Sequence, residues 1–206
     1  MKNFLKRTPF YSLLCWHRGR QQIRSWEESG RPLPPPDALK QRNIRRVAKA
    51  HGLRVLVETG TNLGLMVEAM RRHVAQIYTI ELNKDFYDAA KKKFSAFGNI
   101  ELIQGDSGVV LKSLVGKLDQ PALFWLDGHY SGGATSRGPK DTPIIEELSS
   151  IYPAAFNHVA MIDDARLFGV DPAYPTIAEV REFVLSRNGN LEIDVADDAI
   201  RIMPKR

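Results

Sequence analysis

Six acidic residues each stand where an apolar run ends. They are Glu58 after residues 55–57, Glu81 after 76–80, Asp106 after 100–104, Asp127 after 122–126, and the pair Asp163 and Asp164 after 158–162. A carboxylate is costly to bury without a partner, so six of them on one rim call for polar ligand atoms or a cation. Gly60 and Gly64 follow the first acid in the stretch RVLVETGTNLGLM at 54–66, and glycine lets a turn close against a ligand there. Glu81 stands 21 residues beyond Gly60, where an acid can accept both hydroxyls of a ribose. Asp106, in Gly105-Asp106-Ser107, is placed to accept from an adenine amino group. The spacing E-x-G-x-x-x-G lacks the second glycine of the dinucleotide pattern G-x-G-x-x-G, which favours a mononucleoside ligand over a pyrophosphate. Asp127, Asp163 and Asp164 close two runs. With a single cysteine in the chain and no second clustered histidine, they would suit a hard, oxygen-seeking cation such as Mg²⁺.

These residues need elements to hold them. Val55, Leu56 and Val57 form a short apolar run that suits a strand buried on both faces. Further strands are expected at 76–82, 100–104, 122–126 and 158–162. Helices are expected at about 64–74, 83–97, 109–118 and 176–186, with another starting at Thr142-Pro143, threonine at the cap and proline in the first turn. Asp37 is expected to cap a helix ended by Gly52, and 191–195 with 199–203 to form a hairpin turning at Asp197-Asp198. Strands alternating with helices imply an α/β fold, a Rossmann-like doubly wound sheet, mainly parallel, with an antiparallel strand from the C-terminal hairpin. In such sheets ligands bind beyond the carboxyl ends of the strands, where the acids lie.

The set ETGTNLG, IEL, QGDS and LDG, in order and each at a strand end, resembles the class I S-adenosylmethionine-dependent methyltransferases over residues 40–206. The resemblance implies that Gly60, Thr61 and Gly64 border the methionine part of the cofactor. Glu81 would bind the ribose, Asp106 and Ser107 would lie at the adenine, and Glu58 would face the amino group or order the turn. LDGHYS followed by IDDA is similar to the metal-dependent O-methyltransferases, both the catechol type and the macrolide and aminocoumarin sugar enzymes. That similarity implies Asp127, Asp163 and Asp164 as ligands of a divalent ion such as Mg²⁺ and His129 as general base. Asp127 can also touch the cofactor without any metal. Tyr130, Ser131 and Arg166 would meet the substrate. His129 stands where the sugar enzymes carry an acid, and the loop GGATSRGPKDTPIIEEL is not theirs, which bears on the substrate more than on the reaction. Each residue also has a purely structural use: the glycines in a tight turn, Asp106-Ser107 as a helix cap, and Asp163-Asp164 as a turn cap or as partners of Arg166.

Composition bounds the rest. The chain has 206 residues, 43% hydrophobic and 26% charged, as expected of a soluble globular protein. Its net charge of +5 is uneven: residues 1–50 hold 12 basic and 3 acidic residues, and residues 51–206 hold 17 and 21. The expected organisation is a basic arm with a proline-rich linker at 1–36, then a methyltransferase domain at 37–206. The arm's partner is its own domain, a second copy of the chain in a homo-oligomer, or an anionic membrane surface. One cysteine, no signal peptide and no spanning run point to a cytoplasmic protein with peripheral membrane contact left open. The expected activity is O-methylation of a sugar or other small polar molecule. The alternatives are a nucleic-acid or protein methyltransferase using the basic arm, and a non-catalytic nucleotide-binding module. Nucleic acid is disfavoured because the folded body is acidic and L-D-G-H stands where an N-P-P-Y-like tetrad would.

Overall fold

The computed structural model describes residues 9–128, 142–153 and 156–205, with side chains from residue 17 onward. Seven strands form one sheet: β1 (Val55–Thr59), β2 (Gln76–Glu81), β3 (Ile100–Gln104), β4 (Ala122–Leu126), β5 (Val159–Ile162), β6 (Leu191–Ala196) and β7 (Ala199–Pro204). Their order is β3-β2-β1-β4-β5-β7-β6, parallel except for β7, which runs antiparallel to β5 and β6. β1, β4 and β5 are buried at every position, as unbroken apolar runs in the middle of a covered sheet should be. β6 sits at the edge and alternates over its first four residues, with Leu191 and Ile193 buried and Glu192 and Asp194 exposed.

Side chains alternate across each strand, so the sheet has two apolar faces. On one, Val55, Val57, Phe124, Leu126, Ala160 and Ile162 pack under three helices: α5 (Ser107–Val115), α6 (Ile144–Ile151) and α7 (Ile177–Arg187). On the other, Leu56, Ile77, Leu123, Trp125 and Met161 meet α2 (Asp37–Ala50), α3 (Leu65–Met70) and α4 (Lys84–Phe94) through Ile44, Met66, Met70, Ala90 and Phe94. The first helix, α1 (Pro9–Glu28), lies on α2: Ile23 is buried, and a Cβ on Gly19 would stand 3.4 Å from that of Ala38. Among the described residues, no helix is long and apolar enough to cross a membrane.

Helix ends depart from expectation in particular ways. α3 stops at Met70 instead of running to residue 74, because the chain must turn back so that Ala75 N donates to Arg54 O (2.7 Å) and β2 can begin. α6 begins at Ile144 with Pro143, not Thr142, at its cap position. Glu146 and Glu147 in its first turn face the helix dipole instead. Asp37 is the first helical residue behind Pro36 and does not cap. Asn83, by contrast, caps α4 through Asp85 N and Phe86 N, and Thr176 with Glu179 forms a full capping box on α7. The hairpin turns at Asp197 and Asp198 as expected, both at positive φ (51° and 63°), a conformation that aspartate tolerates better than most residues.

Candidate active site

Strand parity decides which acids meet. Glu58 shares its side of the sheet with Leu56, Thr79 with Ile77, and Asp163 follows Met161 by two. The hydrogen-bond ladder runs past the strand ends: Asp127 N donates to Thr59 O (3.2 Å) and Asp163 N to Leu126 O (3.0 Å). Glu58, Glu81, Asp127 and Asp163 therefore all belong to the face covered by α2, α3 and α4. Between β1 and β4 the strand order reverses, and an open cleft of about 140 Å³ lies there, at the place where such sheets take their ligands. Glu58, Gly60, Thr61, Trp125 and Asp127 form its floor and walls, with Lys40 of α2 on the far side.

The glycine turn is shaped by its surroundings. Gly60 has φ +81°, and a Cβ there would overlap the carbonyl of Asp127 on the neighbouring strand end. Gly64 has φ +66°, and a Cβ would stand 2.6 Å from the Phe94 ring. Gly60 N and Thr61 N both donate to Ile80 O (2.9 and 3.3 Å), which ties the turn to β2. Below it, Thr79 Oγ1 donates to Glu58 (2.6 Å) and contacts Thr61 Oγ1 (2.5 Å). Glu58 thus helps to order the turn and also lines the cleft. Burial pushes its carboxyl up to about 8; the Thr79 hydroxyl works against that, the charge of Glu81 adds to it, and Lys93 opposes it.

Glu81 is fixed by two backbone donors, Asn62 N (2.7 Å) on one oxygen and Asn83 N (2.8 Å) on the other. It clamps the first two turns together, and each oxygen keeps a lone pair for a further donor. Asp106 caps α5 through Gly108 N (2.9 Å), so its structural use is real, and Ser107 behind it is buried. Glu81, Asp106 and Ser107 stand at the ends of β2 and β3, beside the cleft and outside its lining.

The acid rim on the β4–β5 side is arranged differently from expectation. Lys40 Nζ donates to Asp163 Oδ2 and lies 3.9 Å from Asp164 Oδ1. Burial disfavours this ammonium, but Asp163, Asp127 and Asp164 outweigh that effect and raise its pKa. Burial, then the charge of Asp163, holds the Asp127 carboxyl well above the usual carboxylate range, and burial pushes Asp163 up to about 6. Asp164 has a left-handed backbone (φ 57°) and accepts from Arg166 Nη1 (2.8 Å). The same Arg166 nitrogen pairs with Asp198, whose other oxygen accepts from Arg166 N (2.9 Å). Arg166, expected at the substrate, thus first ties the turn after β5 to the terminal hairpin. Among the described residues, no three acidic, histidine or cysteine side chains converge in a way that could hold a metal ion. The Mg²⁺ expected at Asp127, Asp163 and Asp164 does not fit this arrangement: a lysine ammonium lies among these acids, and Asp164 is engaged by an arginine. His129, Tyr130 and Ser131 lie outside the described residues.

Three contributors were missed in the sequence. Lys40 is one; its signal is its place four residues before the buried Ile44, which puts it on the apolar face of α2. Tyr174 is another, buried against Phe168 with ring centroids 5.2 Å apart. Burial raises its phenol pKa, and the charges of Asp164, Asp171 and Asp127 add to this. The third is Glu147, fully buried on α6 beside the Ser107 and Thr59 hydroxyls. Burial lifts it to about 7, with the Ser107 and Thr59 hydroxyls offsetting part of the effect.

No family model matches the chain. A stretch of 71 residues, 34% of this chain, is 30% identical to a "Probable ribosomal RNA small subunit methyltransferase A" of Thermococcus onnurineus, and the match spans 25% of that protein. Among solved structures, the chain resembles the O-methyltransferase TomG from Streptomyces achromogenes, in complex with S-adenosylmethionine. The TM-score is 0.59 and the identity 18%, over 91% of this chain and 89% of that one. It also resembles an O-methyltransferase from Bacillus cereus, with a TM-score of 0.61 and 11% identity over 91% and 90%. A third likeness is to the methyltransferase PaMTH1 of Podospora anserina, with a TM-score of 0.56 and 17% identity over 97% and 89%. The resemblance carried by ETGTNLG, IEL, QGDS and LDG thus holds at the level of the backbone, and the chain has the fold of the class I S-adenosylmethionine-dependent methyltransferases.

Proposed function

We propose that this chain is an S-adenosylmethionine-dependent O-methyltransferase acting on a hydroxyl of a sugar or other small polar molecule. The observation that carries this reading is the cleft at the β1–β4 reversal, with Gly60 folded against Asp127 and Glu58 beneath it. Bound there, the cofactor supplies an electrophilic methyl group on a sulfonium. Glu58 receives the methionine amino group, Glu81 the ribose hydroxyls, and Asp106 with Ser107 the adenine edge. Asp127 stands between the cofactor end and the acid rim, so it orients the acceptor hydroxyl toward the methyl. His129, two residues on, takes the acceptor proton, a task suited to imidazole near neutral pH. Fixing two reactants in one geometry supplies much of such a rate. Substrate contacts from Tyr130 and Ser131, and from the remaining N–H groups of Arg166, complete the reading. It includes no bound divalent ion, because Lys40 and Arg166 already engage Asp163 and Asp164.

The rest of the chain supports narrower proposals. Residues 37–206 form the catalytic domain. The arm at 1–36 packs through α1 on α2, and its further partner is a second copy or an anionic membrane surface, in a cytoplasmic protein. A nucleic-acid acceptor is the second reading, favoured by the short match to a ribosomal RNA methyltransferase. Transfer of a labelled methyl group to a panel of hydroxylated sugars and to ribosomal RNA fragments separates the two. Sugar labelling that falls at least about tenfold in His129→Ala supports the first. Labelling of RNA alone replaces it with the second.

A further inference from the structure

We infer that Lys40 is a tethered cation that takes the place of a divalent ion at the acceptor end of the cleft, so that the chain itself balances the acids there. This rests on the methyl-transfer reading of the same cleft. Lys40 projects from a helix anchored by Leu39, Ile44 and Ala48, all buried. Its ammonium donates to Asp163 Oδ2, approaches Asp164 Oδ1 at 3.9 Å, and is held in its charged form by Asp163, Asp127 and Asp164. Arg166 Nη1 donates to that same Asp164 oxygen at 2.8 Å. A divalent ion needs several oxygens converging on one point at about 2.0–2.6 Å. Here Asp163 Oδ2 and Asp164 Oδ1 are turned to nitrogen donors, and a metal beside Lys40 would meet a like charge at close range.

The difference has chemical content. An ammonium carries three donors, and one is spent on Asp163. The others can meet an acceptor oxygen beside Asp127, holding it as a point-charge hydrogen-bond donor and not as a Lewis acid. Lys40 is therefore a positioning residue for the acceptor end, and its loss should convert a lysine site into a metal site.

The test is Mn²⁺ titration of the full-length protein, followed by calorimetry and by electron paramagnetic resonance of bound Mn²⁺. Four proteins are compared: wild type, Asp163→Asn, Lys40→Met, and Lys40→Met combined with Asp163→Asn. Circular dichroism confirms that each is folded. The wild type should show no saturable site at the rim. Lys40→Met should gain one site, at least about tenfold tighter than anything in the wild type, and the added Asp163→Asn should remove it. Saturable Mn²⁺ binding by the wild type that Asp163→Asn abolishes would overturn the inference. So would a folded Lys40→Met that gains no site. S-adenosylmethionine binding, measured on the same samples, reports separately: its absence defeats the methyl-transfer reading whatever Mn²⁺ does.

Discussion

The two ends of the cleft are held by different physics. At the cofactor end, Glu58 and Glu81 are fixed by a threonine hydroxyl and by backbone N–H groups within the same two turns. At the acceptor end, Asp163 and Asp164 are fixed by whole charges, Lys40 from 123 residues upstream and Arg166 from the following turn. The first is a local device, written within a strand, a turn and the next strand. The second exists only after α2 has docked on the sheet. Loss of a neutral hydrogen bond costs about 1 kcal/mol, whereas an unpaired charge left in the interior costs several times that. The cofactor end should therefore report mutations mainly in affinity, and the acceptor end mainly in stability.

The largest effect should come from closing the cofactor end by force. Gly60→Val places a branched side chain at positive φ against the Asp127 carbonyl. S-adenosylmethionine affinity should fall more than about 100-fold, on the order of 3 kcal/mol, by calorimetry. Unchanged affinity would mean that the cofactor lies elsewhere. Next, Asp163→Ala strands the Lys40 ammonium. Unfolding free energy in urea should drop by about 2–3 kcal/mol, less than for a fully enclosed pair because Asp164 stays within reach. A drop below about 0.5 kcal/mol would show that the two ends do not differ in this way.

Glu147 gives a pH test on the other face of the sheet. Its carboxyl sits near 7 in the fold against 4.5 when unperturbed. Between those values the native state keeps a proton that the unfolded chain has released. Stability should therefore fall as pH rises from about 4.5 to about 7 and level off above. Glu147→Gln removes that slope, gaining about 3 kcal/mol over wild type at pH 8 relative to pH 4.5 in urea melts. Parallel pH profiles for the two proteins would refute the assignment. The smallest effect belongs to Glu58→Gln, which keeps the shape and loses the charge that would meet an amino group. Cofactor affinity should fall about tenfold, while unfolding free energy measured at pH 4.5, where the fold keeps the Glu58 carboxyl protonated, changes little. A loss of stability without loss of affinity would reverse the proposed roles of the two ends.

What was legible follows the same division. The seven strands and the hairpin at Asp197-Asp198 were readable because short apolar runs and turn residues act locally. The places of Glu58 and Glu81 at the ends of β1 and β2 were readable because strand, turn and acid are contiguous. Strand parity, which puts Glu58, Glu81, Asp127 and Asp163 on one face, was available in the spacing and went unused. Helix ends were less legible: Pro143, not Thr142, takes the cap position, and α3 yields four residues to the turn that starts β2. Lys40 was not legible as a partner of Asp163, since its contact depends on the packing angle of α2. The metal expectation turns on that point, because the acids were visible in the sequence and the lysine among them was not.

The account stands most directly on whether the β1–β4 cleft holds the methyl donor. Titration of S-adenosylmethionine into the full-length protein should give one saturable site per chain. At pH 7 binding should also release protons, seen by repeating it in buffers of different ionisation heat, because Glu58 near 8 must ionise to meet the amino group. No saturable binding, or binding whose proton release persists in Glu58→Gln, would contradict it.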